Sequence, residues 1–295
     1  MQKKSNARKS MLSSLMPSLG SLAKRGLAGW LVIIGIVLVT AIVVVTMISP
    51  WIRPHDPSTI LVGQPLVAPN SQFPFGTNDL GQDVFSRALS GGGIMLQVSI
   101  LSVAICLLIG VPLGLFSSYA GGIIDRIFCL IMDSIYSFPG LVLAIAIAAM
   151  LGRGVTNMAI SIAVVYVPSY FRVVRSQVLS IKEMPYVEAA TSIGAKTRTI
   201  LSRYILPNVV PSIVVVATVN FADAILTAAG LTFIGLGVPV QIPDWGWDLT
   251  NRRRLILSGA WWVITFPGIM IILLALGFTL IGEGLSELLN PRLEQ

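Results

Sequence analysis

The sequence predicts an all-α integral membrane protein with six transmembrane helices. Its mean hydropathy is +0.84, and only 11% of its residues are charged, against about 25% in soluble domains. Six apolar segments follow one another, and a bilayer core about 30 Å thick takes roughly 20 helical residues to cross. Lysine and arginine are shared unevenly between the connecting segments, which sets an orientation.

The first segment, residues 28–48, is uncharged throughout. It exceeds the roughly 7–15 residues of a signal-peptide core, and "MISPWIRPHDP" offers no convincing cleavage site, so it reads as a retained span. Residues 94–116 and 127–150 come next, the latter carrying Asp133. The fourth run, 157–171, is short and can continue as helix through Arg172 and Arg175 to the membrane interface. Residues 209–234 hold one acid, Asp223. The last run, 259–281, opens with Trp261 and Trp262, side chains suited to interfacial depth.

Lys3, Lys4, Arg8, Lys9, Lys24 and Arg25 place the N-terminus in the cytoplasm. Six spans return the C-terminus to that side, with 14 of the 20 basic residues inside and six outside. "NRRR" (Asn251 to Arg254) runs against the bias locally. The expected organisation is a basic cytoplasmic tail at 1–26, a first span at 27–50 and an external segment with a short interfacial helix at 51–93. A core of five spans at 94–285 and a cytoplasmic tail at 286–295 complete it.

Composition narrows the function classes. The formal net charge of +7 belongs to the basic flanks of membrane spans, because no nucleic-acid motif and no aromatic interleaving accompany it. Cys106 and Cys129 lie inside apolar segments, and two lone thiols build neither a disulfide framework nor a zinc site. His55, the single histidine, sits in a proline-bounded loop, and no metal site is expected. "GAKT" (Gly194 to Thr197) lacks the glycine before its lysine that a phosphate-binding loop requires. No catalytic constellation is found, so the chain reads as non-enzymatic.

Within the spans, Gly110 and Gly114 form a small-xxx-small pair that permits close helix approach. Pro112 between them should loosen the helix, and Pro139 in "YSFPGLVLA" should do the same in the third span, where it is a candidate pathway or gating residue. A charge at a helix centre costs roughly 2.5–3.5 kcal/mol on insertion scales, so intramembrane acids face a partner or a cavity. Asp133, like Pro139 a candidate pathway or gating residue, lies near Arg126, where pairing or interfacial solvation can hold it. Asp223 lies deeper and leaves two readings open, the lining of a pathway or a structural hydrogen bond.

Outside the membrane, Gly76 to Asp79 have turn chemistry, and a short helix should come after them with Val84, Phe85 and Leu89 toward the membrane. The loop "VPVQIPDWGWDLTNRRR" also has two readings. It is an interfacial aromatic anchor, or a surface for an external partner centred on Pro243, Asp244, Trp245 and Gly246.

The stretch "YVEAATSIGAKTRTILSRYILPN" (186–208) is polar and helical by pattern, yet lies between apolar segments. Val187, Ala190, Ile193, Gly194, Thr197, Leu201 and Tyr204 recur at helical spacing. A glycine inside a helix costs about 1 kcal/mol relative to alanine, so Gly194 marks a bend between two short helices. Pro207 is expected to separate the stretch from the next span. Ala189, Ala190 and Gly194 are small enough to let another surface approach, although an inert amphipathic loop fits the same physics.

"EAATSIGAKTRTILSRYILPN" resembles the EAA signature of importer-type ATP-binding-cassette permeases, with Glu188, Ala189, Ala190, Gly194 and Tyr204 to Pro207 on its pattern. "FGTNDLGQDVFSR", "LTFIGLG", "PDWG", "GAWWVITFPG" and "GLSELLNPRL" extend the likeness over nearly the whole chain beyond the first span. They look like the dipeptide, oligopeptide and nickel branch, and within it the "C" type of subunit. Gln82 stands where that branch usually has arginine, and Asn290 where aspartate is common.

The resemblance implies a type I importer permease fold with a cytoplasmic coupling helix in the loop 185–207. It implies a second homologous permease, two cytoplasmic ATPase subunits that bind ATP and magnesium, and an extracellular solute-binding protein; this chain itself holds no cofactor. Tyr186, Glu188, Ala189, Ala190, Gly194, Ala195, Leu206 and Pro207 would then be the ATPase-coupling residues. Dipeptides, longer peptides, nickel chelates and oligosaccharides are the substrates that the branch suggests. Two other classes stay open: an ion-coupled secondary transporter using Asp133 and Asp223, and a non-transporting scaffold whose polar loop binds a cytoplasmic protein. No inverted repeat supports the first, and charges inside the spans speak against the second.

Overall fold

The computed structural model describes residues 22, 25–239, 241–250, 255 and 258–289. Among these, regular structure is helical apart from an isolated antiparallel bridge between Thr77 and Asp83. A long first helix, α1 (Gly26–Ile52), is followed after an irregular segment by the short α2 (Val84–Ser90) and by α3 (Gly92–Ala120). Next come α4 (Gly122–Tyr136), α5 (Gly140–Leu151), α6 (Val155–Ile181) and the short α7 (Pro185–Ser192). The chain ends with α8 (Thr197–Ile200), α9 (Leu206–Phe233), the short α10 (Trp245–Leu249) and α11 (Trp262–Leu288).

Five of these units are long and apolar enough to cross a bilayer, and α4 with α5 makes a sixth when the bent pair is taken as one span. The two halves of that pair meet at 90°. Phe138 precedes Pro139, and a proline ring drives the residue before it out of the α region. Leu143 N then starts α5 on the Pro139 carbonyl. Pro112 behaves differently, leaving α3 continuous from Gly92 to Ala120.

α6 runs through the middle of the bundle, and its buried side chains feed two apolar clusters. Met158 and Ile162 join Met95, Ile225 and Leu274 in one. Tyr170, Phe171, Val174 and Val178 join Cys106, Ile205 and Val209 in the other. The contact of α3 with α6 depends on two glycines. A Cβ on Gly110 would lie 2.8 Å from Tyr170 Cβ, and one on Gly114 would lie 2.9 Å from Val174 Cβ. Small residues let membrane helices approach backbone to backbone, where packing and not water exclusion drives association. α1 packs on α11 at the flank and leaves Leu27, Val37, Met47 and Trp51 exposed, as a lipid-facing helix does.

Residues 53–83 fold over the end of the bundle where α3 and α11 begin. Asn78 Oδ1 accepts from the backbone N–H groups of Leu80 and Gln82, while its Nδ2 donates to Gln82 Oε1 at 2.9 Å. Gln82 is buried and its amide donates to the Ser58 carbonyl at 3.2 Å, so this position is filled by a neutral group with its bonds met. Asp83 caps α2 by accepting from Phe85 N and Ser86 N. Val84 packs against Trp262 and Leu89 is buried. The apolar side expected to face lipid is thus turned into the protein, because residues 53–83 and α11 cover α2.

Candidate functional site

α7 is built to show one face and bury the other. Pro185 occupies its first position, where the missing N–H costs nothing. Glu188 lies in the first turn, next to the positive end of the helix dipole. Val187 is buried in one apolar cluster with Val178 and Ile181 of α6 and with Ile200 and Ile205, and Ala190 is buried on the same side of α7. Tyr186, Glu188, Ala189 and Ser192 face outward, and Ile193 is 84% exposed at the tip.

Gly194 ends α7 with φ +78°, and an added Cβ would meet nothing within 4 Å. The demand for glycine is therefore conformational, since the left-handed region costs other residues roughly 1–2 kcal/mol. Ala195 N donates back to the Ala190 carbonyl at 3.0 Å, closing the reversal. Beyond the reversal the chain does not form a second, separate short helix. α8 passes through a π turn, Leu201–Ile205, directly into α9, so it is the beginning of a span. Pro207 does not separate them. It sits in the first turn of α9 just after the π turn, whose wider ring accommodates the absent N–H. Leu206 and Pro207 are half-buried behind the displayed face. Asn208 Nδ2 donates to the Tyr204 carbonyl at 2.6 Å and reaches Tyr186 Oη at 3.4 Å, tying the start of α7 to α9.

Two arginines of α6 hold α4 beside this turn. Arg175 forks onto Asp125, with Nε 3.0 Å from Oδ1 and Nη2 2.7 Å from Oδ2. Arg172 Nη2 donates to Asp133 Oδ1 at 2.6 Å, and its guanidinium lies 4.1 Å from the centre of the Tyr136 ring. Asp133 is thus paired across to α6 and not with Arg126 on its own helix, because the facing helix offers the nearer cation. Sequence reasoning misses the Asp125–Arg175 fork. The i, i+3 arginines are visible in it, but nothing local tells which acid they meet.

Between α6, α9 and α11 lies a cavity of about 510 Å³. Its polar lining is uncharged: Ser169, Ser176, Gln177, Ser212, Asn220 and Ser286. Asn220 is only 5% exposed, and its Nδ2 has no hydrogen-bond partner among the described residues. Asp223 and Thr227 follow Asn220 on the same face of α9. Tyr166 Oη and Thr227 Oγ1 are 2.9 Å apart, joining α6 to α9. Asp223 is half-buried. Pro139, at the 90° break, is not among the residues lining the cavity. No group of three or more metal-ligating side chains converges among the described residues.

Residues 110–295 match the family of binding-protein-dependent transport system inner membrane components. The chain belongs to that family. It is 39% identical over 264 residues to the dipeptide transport system permease protein of Alkalihalophilus pseudofirmus, covering 90% of this chain and 86% of the relative. It is 39% identical over 256 residues to the probable D,D-dipeptide transport system permease protein of Escherichia coli, covering 87% and 86%. A glutathione transport system permease protein of Pectobacterium atrosepticum is 41% identical over 226 residues, covering 77% and 75%. The protein is a multi-pass membrane permease of the ATP-binding-cassette type.

The permease turns its other loop inward. Asp244 is buried and caps α10 by accepting from Trp247 N at 2.9 Å. Burial pushes its carboxyl up to about 6. Trp245 is fully buried and its Nε1 donates to the Ala88 carbonyl at 2.8 Å. Gly246 abuts Thr232, whose hydroxyl leaves no room for a Cβ. Asp244, Trp245 and Gly246 therefore neither anchor the loop in an interface nor offer side chains to a partner; they fasten it to α2 and α9. Pro243 is half-buried, and Pro239, Gln241 and Ile242 are the exposed residues beside it. Asn251 to Arg254 lie outside the described residues.

Proposed function

We propose that this permease forms half of the translocation pathway of an ATP-driven importer of dipeptides or short peptides. A second, homologous permease supplies the other half. Two cytoplasmic ATPase subunits, carrying ATP and magnesium, bind α7, and an external solute-binding protein delivers the peptide. The observation that carries the reading is the displayed face of α7, with Tyr186, Glu188, Ala189 and the exposed Ile193 ahead of a left-handed glycine. The peptide assignment rests on the names of the relatives, which are for dipeptide and glutathione systems.

The mechanism comes from how α7 is fastened. Val187 shares an apolar cluster with Val178 and Ile181 of α6, and α8 joins the π turn and α9 without a break. A displacement of α7 by closing ATPases is passed to α6 and α9, the helices that wall the cavity. Bistable packing at helix interfaces turns such small shifts into rigid-body motion. On the external side, Pro239, Gln241, Ile242 and Pro243 present the docking surface, held from beneath by Asp244, Trp245 and Gly246.

Reconstitution with the second permease, the ATPases and the binding protein in vesicles tests this reading. ATP-dependent uptake of a labelled dipeptide is expected. Uptake of a nickel chelate or an oligosaccharide in its place would replace the substrate assignment. Ion-driven uptake by this chain alone would overturn the ATP-driven one.

A further inference from the structure

Among the described residues, Asp223 stands apart from the other acids, which are either paired or, like Glu283 and Glu287 of α11, exposed. Asp83, Asp125, Asp133 and Asp248 each meet a donor or a cation. For Asp223, in the middle of α9, no hydrogen bond or ion pair is found among the described residues, although it is half-buried. A carboxylate at that depth costs roughly 2.5–3.5 kcal/mol on insertion scales unless it faces water or a cation.

Its neighbours describe what could meet it. One turn nearer the cytoplasm, Asn220 closes the cavity of about 510 Å³, within the range that holds small organic ligands. Asn220 Nδ2 and Tyr170 Oη lie close enough to influence each other but not at bonding geometry, and neither has a hydrogen-bond partner among the described residues. One turn toward the external end of α9, Thr227 is occupied by Tyr166, which lies within the field of Asp223. The seam thus offers hydroxyls and amides along its length and a single negative group beyond its inner end. The complementary ligand is small, has a polar uncharged body that accepts hydrogen bonds, and carries a cation at one end.

We propose that Asp223 receives the α-ammonium group of a peptide in transit, while Asn220 Nδ2 donates to a carbonyl oxygen of its backbone. This rests on the peptide-importer reading and adds to it which end of the peptide this chain recognises, and with which atoms. A basic side chain of the second permease is the competing partner for the same carboxylate.

The test is a two-ligand, two-variant cycle on the complete complex of both permeases and both ATPases, purified in detergent without the binding protein. Equilibrium dialysis measures binding of dialanine and of N-acetyl-dialanine. The wild-type complex is expected to hold dialanine roughly tenfold more tightly, the scale of one hydrogen bond to a charged group. Asp223→Asn should erase that preference by weakening dialanine alone, and Asp223→Glu should keep it. Asn220→Ala should weaken both ligands alike. Equal wild-type affinities, no binding of either ligand, or equal weakening of both by Asp223→Asn overturns the proposal. Loss of the second permease from the Asp223→Asn complex does so too, by showing a subunit contact. Uptake is measured separately in the reconstituted vesicles, so a flat cycle beside normal dipeptide uptake removes only Asp223's role, whereas failed uptake removes the importer reading itself.

Discussion

Arg87 Nε lies 2.9 Å from Asp248 Oδ1 and 3.1 Å from Oδ2, joining α2 to α10 across 161 positions of sequence. Both side chains are buried, and Arg87 Nη1 also donates to the Pro57 carbonyl at 2.9 Å. Removing one partner of a buried pair leaves a charge without compensation, which costs roughly 3–5 kcal/mol. Arg87→Met should therefore lower the melting temperature of the purified protein sharply, followed by tryptophan fluorescence. The double change Arg87→Met with Asp248→Leu should recover most of the loss.

Gly194 is the conformational hinge of the displayed turn. Gly194→Val places a β-branched residue at φ +78° but meets no atom there, so the cost stays local, on the order of 1–2 kcal/mol. Expression and melting temperature should change little. ATP-dependent uptake and binding-protein-stimulated hydrolysis should fall together by about tenfold or more if the geometry of the turn sets coupling.

Ile193 gives the complementary case, since its side chain is 84% exposed and supports nothing in the fold. Ile193→Glu should leave stability unchanged while the amount of ATPase co-purified drops by roughly tenfold or more, as for a central apolar anchor of an interface. Undiminished co-purification would move the ATPase contact elsewhere.

Asp244 makes stability depend on pH. Its folded value of about 6 lies above its ordinary value of 3.8, because burial disfavours the charged form. Between those values the folded state binds more protons, so this contribution is full below about pH 4 and is lost as pH rises through about 6. Asp244→Asn keeps a capping oxygen for Trp247 N and removes the titration. Its melting temperature relative to wild type should rise from pH 5 to pH 7, and a constant difference would disprove the assignment.

The residues differ in how readily sequence reveals them. The turn at Gly194 is legible because a glycine inside a helical pattern is a local signal, and Val187 and Ala190 fall on the helical period. The same local logic misjudges Pro207, since whether a proline breaks a helix depends on what the preceding turn can absorb, and here a π turn absorbs it. Trp245 carries a misleading signal. An aromatic residue in a loop beside a span reads as an interfacial anchor, but its indole reaches Ala88, far away in sequence. Asp133 has Arg126 as its neighbour along the chain, whereas helix packing brings it Arg172.

By itself, the sequence determined the apolar spans, the polar stretch between the fourth and the fifth, and the glycine where that stretch reverses. Hydropathy, helical period and the left-handed preference of glycine act within a few residues. Only the tertiary structure decided that Arg87 meets Asp248, that α4 turns through 90° into α5, that Trp245 is interior, and that Asn220 lines a polar cavity between α6, α9 and α11. These depend on which helix faces share an interface, and that is set by packing between segments remote in sequence, for which no local pattern carries the information.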